Sequence, residues 1–329
     1  MVDIIRRRLI KAGLLTLASG LMPRALYAHN HQRKIIFGYG TTGIGTPLGK
    51  GVCECLDEHT QTNYEFGNYP GQHSELACNL VRDAAPDGSM LLLAKSPSFN
   101  LFPSVYKHLT YKLSDFKPLA QLGRYTLVLV VGPLVPKNVT NIDQLSEWIS
   151  DNPQYRGIGF TFYQSPGHIA ELIFARAKTL ALQPVAYVGT SMIIRDLIDQ
   201  NLAVALVVSG NGSDFYQSKL LRPLAVTTHD RFESLPKVET FAERGVEQMD
   251  LSGWYGLMAS YKTPDETSTQ MVNQLQKLSR QNDFKNLIAG LNLAKGTFDP
   301  DEFTEQIKAE TQYMSYLVKE YKIQSTSST

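Results

Sequence analysis

The chain has 329 residues, 32 basic and 31 acidic side chains, and 43% hydrophobic residues. That length suffices for two domains of ordinary size. The near-balance of charge excludes an electrostatic footprint for nucleic acid or an anionic membrane, and an odd count of three cysteines excludes a fully paired disulfide framework.

The chain opens on a basic cluster, Arg6-Arg7-Arg8-Leu9-Ile10-Lys11, continues through an uncharged run from Ala12 to Met22, and reaches Pro23-Arg24-Ala25-Leu26-Tyr27-Ala28. Basic, then apolar, then small is the order of an export signal, and the uncharged run is well short of the roughly 20 residues a spanning helix needs. The twin arginine reads as a Tat-type address, with an ordinary Sec-type signal as the alternative. Cleavage after Ala28 removes Arg6, Arg7, Arg8, Lys11, Arg24 and Asp3, leaving 27 basic against 30 acidic side chains. The expected location is the periplasm, and no later stretch is apolar for long enough to cross a bilayer.

Lys34 to Phe37 reads as a short buried strand, followed by a glycine-rich turn from Gly38 to Gly45 and a helix from Thr46 to His59. Tyr64 to Phe66 is a second strand, Asn68 to Gly71 a turn, Ser74 to Ala85 a helix and Met90 to Ala94 a third strand. Leu127 to Val131 is strongly β-prone, and a second alternating set follows. It comprises a helix from Asn141 to Ser150 with Asn141 as cap, a strand at 157–160, a helix from Ser165 to Leu180 with proline at an early position, a strand at 185–187, a helix from Thr190 to Gln200, and strands at 203–208 and 224–227. Trp254 to Ala259 reads as a returning strand, and helices follow at 265–281, 283–291 and 300–319.

Strands alternating with helices indicate parallel βαβ units. The expected fold class is α/β, as two lobes with the second inserted into the first. Residues 1–28 are the signal, 29–131 the first part of lobe 1, 132–252 lobe 2, and 253–329 the return of lobe 1 with its C-terminal helices. The strands near Val128 and Leu257 carry the crossings. Cys53 and Cys55 sit two apart on a helix and face different ways, so a bridge from one of them to Cys78 and three free thiols both stand open. Trp148 and Trp254 read as core.

Gly38-Tyr39-Gly40-Thr41-Thr42-Gly43 fits G-x-G-x-x-G between a strand and a helix, with Glu65 about 20 residues on, the context of a dinucleotide fingerprint. An exported NAD(P)-linked oxidoreductase is therefore one reading. The same physics is more general, because glycines allow close backbone approach and free N–H groups at a helix start attract any anion. Ser165-Pro166-Gly167-His168 and Gly189-Thr190-Ser191 are two more such starts. Three anion-attracting turns over two lobes indicate a cleft that grips a small organic acid. There is no G-x-S-x-G, H-E-x-x-H or Walker motif, so the residues suggest no enzyme mechanism, no metal and no cofactor.

From Lys34 to Ile323 the chain resembles the Bug family, the solute-binding receptors of tripartite tricarboxylate transporters. Asn68-Tyr69-Pro70-Gly71 is similar to the family's N-x-P-G turn, and Ala84 to Leu92 to its A-x-P-D-G-Y-T-L-L run. Asp115 to Gln121 resembles D-F-x-P-V-A-x. Leu224 to Thr227 with Arg231 and Leu235 to Thr240 resembles L-A-V-T…R…L-P-x-V-P-T, and Trp254 to Leu257 the returning W-x-G-L strand. The resemblance implies a type II periplasmic binding protein with a two-strand hinge. It also implies a carboxylate ligand held by two βα loops, largely through backbone amides and water. Those loops match Tyr39, Gly40, Thr41, Thr42, Gly43, Ile44, Gly45 and Thr46, and Phe160 to His168 with Thr161, Ser165, Pro166, Gly167 and His168; Gly189 and Thr190 lie nearby. The expected partners are the organic acid and the transporter's membrane subunits, with the receptor a monomer. A sensing receptor without a transporter is the variant reading. Thr46 stands where many relatives carry an Asp able to pair with a ligand amino group, which argues against an amino-acid ligand. The turn Pro70 to Ser74 lacks the usual glycine pair, leaving Gln72 and His73 to contact ligand or fill space.

Overall fold

The computed structural model describes residues 32–60 and 62–326, so the expected export signal, residues 1–28, lies outside the described residues. The first segment runs β1 (Gln32–Phe37), α1 (Gly45–His59), β2 (Asn63–Asn68), α2 (Glu75–Arg82), β3 (Met90–Lys95) and β4 (Phe116–Tyr125). The middle segment runs β5 (Leu127–Val131), α3 (Ile142–Asp151), β6 (Gly157–Thr161), α4 (Pro166–Ala177), β7 (Gln183–Tyr187), α5 (Thr190–Ile198), β8 (Val204–Val208), β9 (Arg222–Val226) and β10 (Glu239–Thr240). The last adds β11 (Gly253–Ser260), α6 (Asp265–Leu278), α7 (Asn282–Gly290), β12 (Ala294–Lys295) and α8 (Pro300–Glu320). Two short helical turns, Pro97–Asn100 and Phe102–Val105, follow β3.

These strands form two six-stranded mixed sheets, ordered β12-β4-β11-β3-β1-β2 and β10-β9-β5-β8-β6-β7. β1 pairs parallel with β2 and β3, as βαβ units require, whereas β11 runs antiparallel between β3 and β4. The apolar runs Ile35-Ile36-Phe37, Leu91-Leu92-Leu93 and Val128 to Val131 are almost fully buried, as strands covered on both faces should be. The expected cap forms: Asn141 Oδ1 accepts from the N–H groups of Asp143 and Gln144, both at 3.0 Å. Asp299 Oδ1 likewise accepts from Asp301 and Glu302.

β4 has no counterpart in the sequence reading. Pro118, Gly123, Lys117 and Arg124 hide its strand character. It forms because β11 and β12 flank it, and Pro118 sits at a register shift of the β4–β11 pair, where a missing N–H is tolerated. β4 and β5 are nearly one strand that changes sheets at Thr126. Leu127–Val131 therefore pairs with β8 and β9 in the second sheet, not with the 29–131 segment where the sequence boundary puts it. The chain comes back between Leu251 and Gly253. The two passages are tied at Thr227, whose Oγ1 lies 3.2 Å from Thr126 Oγ1 and accepts from Leu127 N–H at 3.1 Å. Thr227 O in turn accepts from Leu251 N–H at 3.2 Å.

All three cysteines are free and buried, so the bridge to Cys78 is not formed. Cys53 and Cys55 pack in the core beneath α1, whereas Cys78 packs with Val81, Leu92 and Trp254 on the other side of the first sheet. Trp254 is fully buried against Phe303, and Trp148 stacks on Tyr155.

Candidate ligand-binding site

A cavity of about 130 Å³ opens at the carboxyl ends of β1, β3, β6, β7 and β8, walled by both sheets. Carboxyl strand ends are where open α/β sheets bind ligands. Three helices begin in its wall: α1 at Gly45, α4 at Pro166 and α5 at Thr190. The first N–H groups of a helix have no intrahelical acceptor, and each helix start carries about half a positive charge. Among the described residues, no Asp or Glu lines the cavity. The electrostatics of the wall thus favour an anion.

Most of the residues expected from sequence meet here. Tyr39, Gly40, Thr42, Gly43 and Gly45 line the cavity from the first loop; Thr161, Ser165, Pro166 and Gly167 line it from the second; Gly189 and Thr190 from the third. Four do not. Thr41 is exposed beside the cavity. Ile44 is buried, and its N–H donates to Asn211 Oδ1 at 3.1 Å. Thr46 Oγ1 accepts from Asn68 Nδ2 at 3.1 Å. His168 is used by its own loop: Nδ1 accepts from Gln164 N–H at 3.2 Å, and the ring packs 5.2 Å from both Phe160 and Tyr163. Burial lowers its pKa, so the ring is neutral at pH 7. Ser165 Oγ caps α4 by accepting from His168 N–H at 3.2 Å.

The second loop is held in a demanding shape. Phe162 and Gln164 both have positive φ, 34° and 61°, unusual for side chains of this size. Gln164 is fixed by the C-terminal tail: its Nε2 donates to Gln324 O at 2.7 Å, and its Oε1 accepts from Thr326 Oγ1 at 3.1 Å. His73 fills space rather than facing the cavity, stacking on Tyr106 at 4.4 Å and meeting Phe162 at 5.9 Å.

Among the lining residues that sequence reasoning missed, Asn211 and Lys95 bring polar chemistry to the cavity. Asn211 follows β8 and joins the loops, accepting from Ile44 N–H and donating from Nδ2 to Thr190 Oγ1 at 3.2 Å. Lys95 ends β3, and its Nζ lies 5.1, 5.4 and 5.9 Å from the ring centres of Tyr39, Tyr125 and Tyr255. Burial lowers its pKa to about 8. The signal for Lys95 was a lysine closing the apolar run Met90 to Ala94, at the end of a parallel strand. Asn211 carries no local signal.

The glycine fingerprint has a different use from pyrophosphate binding. A Cβ on Gly38 would fall 2.8 Å from Ser74 Cα, so the glycine allows this loop to touch the turn before α2. Glu65 is exposed and pairs with Lys34 at 3.4 Å. The cavity is also below the several hundred Å³ of pockets for drug-sized ligands, let alone dinucleotides. Among the described residues, Glu58, His59 and Asp283 could bring metal-ligating atoms within 4.8 Å of one another. They lie outside the cleft, and His59 is already paired with Asp283 at 2.9 Å.

The model of the tripartite tricarboxylate transporter family receptor matches residues 54–323. The chain belongs to that family. Its fold is that of periplasmic binding proteins: BugD, described as one, superposes with a TM-score of 0.79 at 19% identity, over 90% of this chain and 99% of BugD. An R. palustris protein with adipate gives 0.81 at 21% identity, over 90% of this chain and 98% of that one. MatC from Rhodopseudomonas palustris with bound malate gives 0.76 at 16% identity, over 87% and 98%.

Proposed function

We propose that this receptor is exported to the periplasm by its Tat-like leader, captures a small carboxylate in the cleft, and transforms nothing there. The observation that carries the reading is the convergence of three helix starts on one cavity that, among the described residues, no Asp or Glu lines. The amides of Gly167, Thr190 and Ser191 occupy first-turn positions and would donate to the ligand's carboxylate. Gly40 and Gly43 allow the first loop to approach it. The relatives with adipate and malate support an organic acid as the ligand class. An apolar cavity of about 150 Å³ accommodates benzene, so this one suits an acid of similar bulk.

A ligand touching both lobes binds the closed arrangement better than an open one, and only such differential binding shifts a hinge equilibrium. The boundaries proposed for that motion are the passages at Thr126 and at 251–253, tied through Thr227. The closed monomer would then dock on the membrane subunits of a tripartite tricarboxylate-type transporter. Calorimetric titration of the mature protein with succinate, adipate, malate, citrate and nicotinate should give saturable binding of at least one acid. Silence across the panel would refute carboxylate capture.

A further inference from the structure

Among the described residues, Lys95 is the one charged residue in the cavity wall. Its ammonium has no hydrogen bond and no ion pair among the described residues. The Tyr39 hydroxyl is engaged with Ser98 Oγ at 2.8 Å and the Tyr125 hydroxyl with Ser96 Oγ at 3.1 Å, so their rings rather than their oxygens face the amine. Three aromatic faces offset part of the desolvation of a cation. They do not replace a counter-ion, because a charge withdrawn from water is costly unless paired.

The cleft therefore presents two unmet demands from opposite sides. β3 of the first sheet brings the bare ammonium, and the starts of α4 and α5 beside the second sheet bring bare amides. One carboxylate placed on the amides leaves Lys95 unpaired; placed on Lys95 it leaves the amides empty. A molecule acidic at both ends satisfies both and joins the lobes in doing so.

We infer that Lys95 is the specificity-determining residue of the cleft, pairing with the second acidic group of a short dicarboxylate whose first is held by the amides of the other lobe. This rests on the carboxylate reading above and adds to it a required charge count and the residue that reads it. A ligand with one acidic group lacks the contact that draws the first lobe onto it.

The test compares succinate with succinamate, and adipate with adipamate, by calorimetry on the full mature protein, its Lys95→Met and Lys95→Gln variants, and Lys95→Arg. Replacing one carboxylate by an uncharged amide removes one partner of a desolvated pair, which costs about thirty-fold or more in affinity. Wild type should show that preference for the better-fitting diacid. Lys95→Met and Lys95→Gln should bind diacid and half-amide within about threefold of each other, and Lys95→Arg should restore part of the preference. If wild type binds half-amides as tightly as diacids, or if either neutral variant retains the preference, the role of Lys95 is refuted while carboxylate capture stands. If wild type binds none of these acids, the capture reading itself fails. Should Lys95→Met not fold, Lys95→Gln and the wild-type preference decide the matter alone.

Discussion

The unpaired ammonium makes a prediction about the empty receptor that needs no ligand. Burial moves the Lys95 pKa from 10.5 to about 8, with no opposing charge to offset it. At about 1.4 kcal/mol per unit, holding the charged form in the fold costs about 3 kcal/mol at pH 7. The sign follows from proton counting. Between pH 8 and 10.5 the unfolded chain binds the proton and the folded one does not, so stability rises with pH across that window and the full penalty applies below it. Lys95→Met fills similar space without the charge. It should therefore raise the unfolding temperature at pH 7 by about 6 °C, taking roughly 2 °C per kcal/mol for a chain of this size. The gain should shrink toward zero by pH 10.5. Burial pushes the pKa of Tyr39, Tyr125 and Tyr255 well above the ordinary tyrosine value, so above about pH 10 the unfolded chain loses tyrosine protons that the fold keeps and both proteins lose stability; that loss is common to the two and cancels in the difference between them. Differential scanning calorimetry of both proteins at pH 7, 9 and 10.5 checks it. A variant no more stable than wild type at pH 7, or a gain independent of pH, would show that Lys95 is not an uncompensated charge. A more stable empty protein that has lost diacid selectivity is the expected trade between stability and function.

Other outcomes follow from the contacts around the cleft. Asn211→Ala deletes both links from β8's end to Ile44 and Thr190, each worth about 1 kcal/mol. Affinity for the bound acid should fall by up to about thirty-fold by titration, and an unchanged Kd would remove Asn211 from closure. Gly43→Val places its first carbon 3.9 Å from Asn211 Oδ1, where a methyl fits but branches press into the cleft; acid binding should vanish while the circular dichroism spectrum holds, and retained binding would exclude the first loop. Burial keeps His168 neutral by lowering its pKa from 6.5. Stability should therefore be lost as pH falls below that value, and His168→Gln should lose less than wild type between pH 7 and 5 in thermal melts; equal losses would count against it.

Helices and parallel strands were legible because their signals are local. Asn141 and Asp299 are polar residues ahead of apolar periodicity, and both accept capping bonds from the first turn. β4 was not legible, because its strand character comes from β11 and β12 on either side. The same dependence on partners misplaced β5. Sixteen consecutive residues, 116 to 131, look like one region of the chain, and only pairing shows that the sheet changes at Thr126.

The site was legible in its backbone and opaque in its side chains. Glycine, serine and proline at helix starts state a conformation, so the three turns could be placed together before any fold was known. His168, Thr46 and Ile44 sit in the same segments, yet sequence spacing does not say which way a group points; each spends its polar group on a neighbour, at Gln164, Asn68 and Asn211. Asn211 reaches Ile44 across 167 residues of chain. Lys95 lies just past the strand read from sequence at Met90 to Ala94, and a lysine there is ordinarily expected in solvent, since lysine is almost never buried unless paired. In the fold that expectation is what makes the residue informative: three tyrosine rings lie against its ammonium and, among the described residues, no carboxylate pairs with it, which is why the partner proposed for it comes with the ligand.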